Sequence, residues 1–231
     1  MPDTPEATRQ SNTSQYPELM RKLLAQRGLK EANKIEQFLA PDYERDSHDP
    51  LLLKDIQKAS TRIINAIKAK ETIAVYSDYD ADGIPGAVIL TDFFKKIGYQ
   101  QFVTYIPHRN REGFGFHAHA IDTLKAQGVS LIITVDCGSS DTGAAARAEE
   151  LGVEVIVTDH HQPSEPAPVV YALVNPNQPG CAYPNKSLCG AGVAFKLVQA
   201  LIAQGDFGLV SGWEKWLLDL VGIATVADMV S

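Results

Sequence analysis

The chain has 231 residues, 45% of them apolar and 21% charged, which excludes a disordered, collagenous or coiled-coil protein and suits one large domain or one and a half. Its 28 acidic side chains against 21 basic ones leave a formal charge of −7, so no general basic surface can hold nucleic acid, and any such binding must be local or metal-assisted. Cys137, Cys181 and Cys189 are odd in number and lack a CxxC spacing. Together with the absence of an apolar leader and of any uncharged apolar run of about 18 residues, they read as a cytoplasmic protein with no membrane partner.

Residues 1–15 are rich in Ser, Thr, Pro and Gln without periodicity and are expected to be a mobile tail. A helical lead-in is expected over 16–70. Leu19, Leu23 and Leu24 form one apolar group, and Ile35, Phe38 and Leu39 another that stops at Pro41. Leu53, Ile56, Ala59, Ile63, Ile64 and Ile67 then keep an i, i+3/i+4 stripe, the mark of an amphipathic helix. From Thr72 the pattern changes to short β-branched runs at 72–77, 102–106, 130–135, 153–158 and 169–174. Amphipathic stretches at about 84–97, 117–127 and 140–151 separate them, each ending near a glycine. Two further helices are expected at about 190–204 and 213–222. Strict alternation of strand and helix predicts an α/β fold over 71–231: a doubly wound, mostly parallel five-stranded sheet with helices on both faces.

In open parallel sheets ligands collect at the carboxyl ends of the strands, and the unusual polar residues fall there. The first strand runs into Asp78, Asp80 and Asp82, alternate positions that an extended backbone would point the same way. A solvated Asp-rich turn would explain them alone. The third strand, however, ends in Asp136-Cys137-Gly138 and the fourth in Asp159-His160-His161. Like charges so close either raise their pKa values or enclose a cation. Carboxylate and imidazole without thiolate suit Mn²⁺ or Mg²⁺ ahead of Zn²⁺ or Fe²⁺. Four or more carboxylates are too many for one ion, and two ions sharing one Asp could activate a water for phosphoester hydrolysis.

These runs, Asp78-Tyr79-Asp80-Ala81-Asp82-Gly83, Asp136-Cys137-Gly138 and Asp159-His160-His161, resemble the first three motifs of the DHH phosphoesterases. His48-Asp49-Pro50, Pro107-His108-Arg109, Glu112-Gly113-Phe114-Gly115, Leu188-Cys189-Gly190-Ala191-Gly192-Val193-Ala194 and Ala224-Thr225-Val226-Ala227-Asp228 resemble the RecJ branch in particular. The resemblance implies two divalent ions, Mn²⁺ ahead of Mg²⁺, and Asp80, Asp82, Asp136, His160 and Asp228 as ligands with Asp136 bridging. It implies that His161 contacts the scissile phosphate and that Asp78 and Asp159 orient their neighbours. Asp219 is the other candidate for the last ligand. Pro85 departs from the Ser or Thr common in the family but suits a first helical turn. The chain stops just after the fourth motif, so the DHHA1 domain and oligonucleotide-binding fold of full-length RecJ proteins are expected to be absent.

The loop at 107–115 holds Arg109 and Arg111 before its first acid, a pattern that suits a phosphate clamp; by resemblance Arg109 would hold a 5′ phosphate. Phe114 and Phe116 could stack on bases or anchor the loop. His117 and His119 are expected to be exposed at a helix start. Gly138-Ser139-Ser140 is expected to open the next helix, with Ser139 receiving a phosphate or capping. The reading is an enzyme, a RecJ-like 5′ to 3′ exonuclease of single-stranded DNA, with repair or replication proteins as further partners. The alternatives are a DHH phosphodiesterase for short oligonucleotides or cyclic dinucleotides, and a non-catalytic RecJ-derived replication scaffold.

Overall fold

The computed structural model describes residues 15–230; the tail expected at 1–15 lies, apart from Gln15, outside them. The chain divides into two compact units, Met1–His48 and Asp49–Ser231. In the first, α1 (Glu18–Gln26), α2 (Ala32–Leu39) and the single turn α3 (Tyr43–Asp46) bury only Leu24 and Ile35. Leu19, Leu23 and Phe38, expected on the same stripes, are exposed.

The second unit opens with a 3-10 turn, Pro50–Leu52, and α4 (Ile56–Ala69). Five strands follow: β1 (Thr72–Ser77), β2 (Phe102–Tyr105), β3 (Val129–Val135), β4 (Glu154–Thr158) and β5 (Ala172–Val174), interleaved with α5 (Gly83–Lys96), α6 (Ala118–Ala126) and α7 (Thr142–Glu150). All four pairings are parallel, in the order β2-β1-β3-β4-β5. Ala74, Tyr76, Ile132, Val155 and Val157 share a core with α6 and α7. By alternation, Ile73 and Val75 face the opposite layer, where α5 and α4 pack on α8 (Gly190–Gln204) and α9 (Leu218–Ala227) packs on α5 and α8. α4, read from sequence as the end of the lead-in, thus belongs with the sheet. Its expected stripe is the buried face, with Ile56, Ala59 and Ile63 fully covered.

Three boundaries differ from the sequence reading by more than one residue. The fifth strand is only three residues long, because Pro166 and Pro168 just ahead cannot donate to a ladder, and Val169 is left 74% exposed. The third crossover helix starts at Thr142, not residue 140, because 136–141 form the turn that carries Asp136. The last helix does not stop at 222: a 3-10 segment, Trp213–Leu217, leads into α9, since one interior glycine costs a helix only about 1 kcal/mol. Helix α5 ends as its glycine predicts. Gly98 (φ +75°) donates to Lys95 and Tyr99 to Phe94, a Schellman closure that needs the left-handed conformation.

From β1 the chain winds first to β2 on one side and then to β3 on the other, so strand order reverses between β1 and β3. A crevice forms at such a point, at the carboxyl ends of the strands, and it is where Asp78–Asp82 and Asp136 emerge. Among the described residues no helix is long and apolar enough to cross a membrane.

Candidate metal centre

The three first-motif carboxylates do not lie along an extended segment as their alternate spacing implies. β1 ends at Ser77 and the chain bends at once. Asp78 is engaged away from the others: its Oδ1 accepts the Tyr79 N–H at 2.7 Å and its Oδ2 the Gly115 N–H at 3.4 Å. Asp80 Oδ1 accepts the Gly83 N–H at 3.0 Å and closes the turn into α5. Asp82 Oδ2 accepts the Gly190 N–H, the first amide of α8, at 2.6 Å, and a helix N-terminus suits a buried carboxylate. A Cβ on Gly190 would come within 2.5 Å of the Asp136 side chain, so only glycine lets α8 approach this closely.

Asp136 stands directly after β3 with φ +61°, a left-handed conformation that Asp tolerates better than most residues. Its N–H donates to Thr158 O at 2.9 Å, tying the end of β3 to the end of β4. Asp159, after β4, is buried: its Oδ1 accepts the His160 N–H at 2.7 Å, the His161 N–H at 3.1 Å and His161 Nδ1–H at 2.8 Å, and its Oδ2 the Ser139 N–H at 2.9 Å. The Asp159 contact lifts the His161 imidazole to a pKa of about 9.

His160 sits at the crossing point. Its Nε2 lies 3.2 Å from Asp136 Oδ1, 3.7 Å from Asp82 Oδ2 and 3.8 Å from Asp228 Oδ2. Three overlapping sets bring ligand atoms within 4.8 Å of one another: Asp80, Asp82 and Asp136; Asp82, His160 and Asp228; Asp136, His160 and His161. Asp219, the other candidate for the last position, is exposed, and its Oδ1 accepts the Leu220 N–H at 2.7 Å. Both Asp136 oxygens, His160 Nε2 and Asp228 Oδ2 are buried and, among the described residues, have no hydrogen-bond partner. Such groups are normally satisfied. Burial, with the Asp82 and Asp80 charges beside it, pushes the Asp136 pKa far above the carboxylate range, and burial raises Asp82 as well. A divalent cation would remove this cost, and oxygen-rich donors with imidazole and no thiolate fit Mn²⁺ or Mg²⁺. Cys137 is fully buried, and desolvation holds its thiol protonated.

Beside the cluster opens a groove of about 500 Å³, lined by Asp78, Asp80, Phe114, Gly115, Ser140 and His161 among others. Arg109 lies over the Tyr79 ring, 4.9 Å from its centre, and Tyr79 meets Phe114 at 4.4 Å. Phe114 is 62% exposed, whereas Phe116 is buried edge-on against Tyr76, so the two phenylalanines divide the roles of groove wall and anchor. Arg111 is exposed. His117 is half-buried and His119 exposed. Ser139 is buried: its amide donates to Asp159 and its hydroxyl accepts from Asn175 Nδ2 at 2.8 Å, so Ser140 is the serine at the groove.

Three supporting residues escape the sequence reading. Asp141 precedes α7 but makes no capping bond; its Oδ2 accepts the N–H groups of Gly138 and Phe116, both at 3.1 Å, and ties two loops together. Asn175 Nδ2 donates to the His161 carbonyl at 2.8 Å, and Asn177 Nδ2 to that of His160 at 2.6 Å. Asn175 follows the apolar run of β5 as Asp78, Asp136 and Asp159 follow theirs, and that position was the available signal.

Residues 72–225 match the DHH family, N-terminal domain, and the chain belongs to this family. Over 212 residues it is 42% identical to the single-stranded-DNA-specific exonuclease RecJ of Bacillus subtilis (strain 168), a match that covers 92% of this chain and 26% of that protein. It is similar to the crystal structure of exonuclease RecJ bound to manganese, with a TM-score of 0.68 at 34% identity over 77% of this chain and 44% of that one. RecJ in complex with Mn²⁺ from Thermus thermophilus gives 0.69 at 30% identity over 89% and 27%. The chain thus spans about a quarter of the length of the curated Bacillus subtilis relative.

Proposed function

We propose that this chain hydrolyses phosphodiesters of single-stranded DNA from the 5′ end with two divalent ions, Mn²⁺ ahead of Mg²⁺, held by Asp80, Asp82, Asp136, His160 and Asp228. The observation that carries the reading is the convergence of buried acceptors without donors on His160 Nε2. The RecJ names of its relatives support the substrate, and the manganese in related structures supports the metal. Such ions, when bound, supply a water activated near neutral pH and positive charge against the phosphoryl oxygens. Asp82, Asp136 and His160 each belong to two of the three ligand sets, and Asp136, with both oxygens unpartnered, is the residue suited to serve both ions.

The surrounding side chains position the substrate. Asp159 accepts from His161 Nδ1 and so leaves Nε2 to meet an oxygen of the scissile phosphate. Asp78 holds Gly115 and with it the groove wall. Arg109, braced on Tyr79, grips the terminal 5′ phosphate through charge-assisted bonds, and Arg111 and Ser140 flank the path of the strand. The catalytic unit is Asp49–Ser231, which takes in α4 from the expected lead-in, and the protein works in the cytoplasm beside repair or replication proteins. With Mn²⁺, a 5′-labelled oligonucleotide should lose its label before a 3′-labelled one shortens. Arg109→Ala should impair cleavage of 5′-phosphorylated strands more than of 5′-hydroxyl strands. Faster cleavage of dinucleotides than of long strands would contradict the reading.

A further inference from the structure

The loop from Ile106 to His117, between β2 and α6, carries both arginines, yet its best-connected side chain is an acid. Glu112 Oε1 accepts the Tyr105 hydroxyl and meets His119 Nε2, both at 2.6 Å, while Oε2 accepts the His108 N–H at 2.6 Å. These partners are the last residue of β2, the rising arm of the loop and the first turn of α6. Tyr105 is itself stacked on Tyr76 of β1, ring centres 5.3 Å apart, so the carboxylate is moored to the sheet. The N–H groups of Arg111 and Glu112 both reach the His108 carbonyl at 2.9 Å, which closes 108–112 into one turn with Arg109 and Asn110 at its tip. The His108 amide, with Tyr105 and His119, holds the Glu112 carboxyl down to about 2. A full negative charge in the same turn as Arg109 does not itself attract a phosphate, so its use lies in geometry.

Resting on the reading of Arg109 as a phosphate contact, we propose that Glu112 is the positioning residue of this loop. It locks the 108–112 turn so that Arg109 lies along the Tyr79 ring at the rim of the groove before substrate arrives. Ordering lost at binding is then small, which is the benefit of a preformed contact.

The test is a double-mutant cycle on the whole chain with a 5′-phosphorylated oligonucleotide and Mn²⁺. Glu112→Ala should raise KM about tenfold, the scale of hydrogen bonds left unmade, while kcat changes less than about threefold. In the Arg109→Ala background the same change should add less than about twofold, because the two residues act as one unit. Glu112→Gln, which keeps an acceptor oxygen, should recover most of the loss. Hydrogen exchange of the amides at 108–112 should speed up about tenfold in Glu112→Ala and stay unchanged in Arg109→Ala; Tyr105→Phe, which removes one donor, reads the same effect should Glu112→Ala not fold. A wild-type chain that cuts no strand refutes the nuclease reading, whereas the exchange comparison still decides the role of Glu112. Exchange at 108–112 as slow in Glu112→Ala and Tyr105→Phe as in wild type, or losses that add to those of Arg109→Ala, would overturn the proposal.

Discussion

At the amino edge of the sheet, Arg62 of α4 is only 12% exposed and grips Glu71 through both outer nitrogens at 3.1 and 2.7 Å and Glu154 through Nε at 2.6 Å. The Ser130 hydroxyl adds a bond to Glu71 at 2.6 Å, and the Arg62 contact holds the Glu71 pKa down. At the carboxyl edge, Asp82 and Asp136 are more deeply buried, yet burial, with further carboxylates beside each, pushes them up, and both Asp136 oxygens are without donors. Both edges gather charge where strands end. Where one buried arginine pairs with both carboxylates the cluster fastens α4, β1, β3 and β4 together; where carboxylates converge with no cation and the Asp136 and Asp228 oxygens lack donors the cluster stores a demand for a cation. Buried charge alone therefore does not mark a site, and the convergence of unmatched carboxylate oxygens does.

The largest way to break this contrast is Asp136→Asn, which keeps the shape and tolerates the left-handed backbone. Metal-dependent cleavage should fall about a thousandfold or more, roughly 4 kcal/mol in barrier. In chelator, the same variant should be more stable than wild type to urea by about 1–2 kcal/mol, because a crowded buried charge has been removed. Activity above a tenth of wild type would end the two-ion reading.

Arg62→Met should do the reverse. It leaves Glu71 and Glu154 without their partner and should cost about 3 kcal/mol of stability, read from the urea midpoint, while kcat below the transition stays within about twofold, since the change lies at the opposite edge. An equal loss of kcat would mean the two edges are not independent.

The smallest effect sharpens the contrast with a third buried charge. Lys196 of α8 is 5% exposed, and burial brings its pKa down to about 8, against roughly 10.4 in an unfolded chain. Between those values the unfolded chain binds more protons, so stability from this group rises with pH; its penalty is full below about 8 and fades toward 10.4. The melting temperature of Lys196→Met relative to wild type should be highest at pH 7 and fall between pH 8 and 10. A constant difference would refute the depressed pKa.

Much of this was legible in the chain itself. The strands at 72–77 and 130–135 were readable because β-branched runs with both faces covered have no competing period, and the gathering of Asp80, Asp82, Asp136 and His160 was readable because strand ends and family motifs coincide, with Asp228 reached through its motif alone. Asp141 was not: its contacts with Gly138 and Phe116 join two loops distant in sequence, and a residue before a helix reads as a cap. Leu19 and Leu23 show the opposite failure, since a helical stripe predicts a face but not what covers it. Phe114 and Phe116 sit in a loop without period, where only the fold decides which one is buried.

The most direct measurement is a calorimetric titration of the metal-free chain with Mn²⁺, with Asp136→Asn and Arg62→Met in parallel. Wild type and Arg62→Met should each bind two ions per chain and gain melting temperature as Mn²⁺ is added, while Asp136→Asn should lose the binding along with that gain. Unaltered Mn²⁺ binding by Asp136→Asn, or no binding by wild type at millimolar metal, would contradict the claim that the unmatched carboxylates at the carboxyl edge are a cation site.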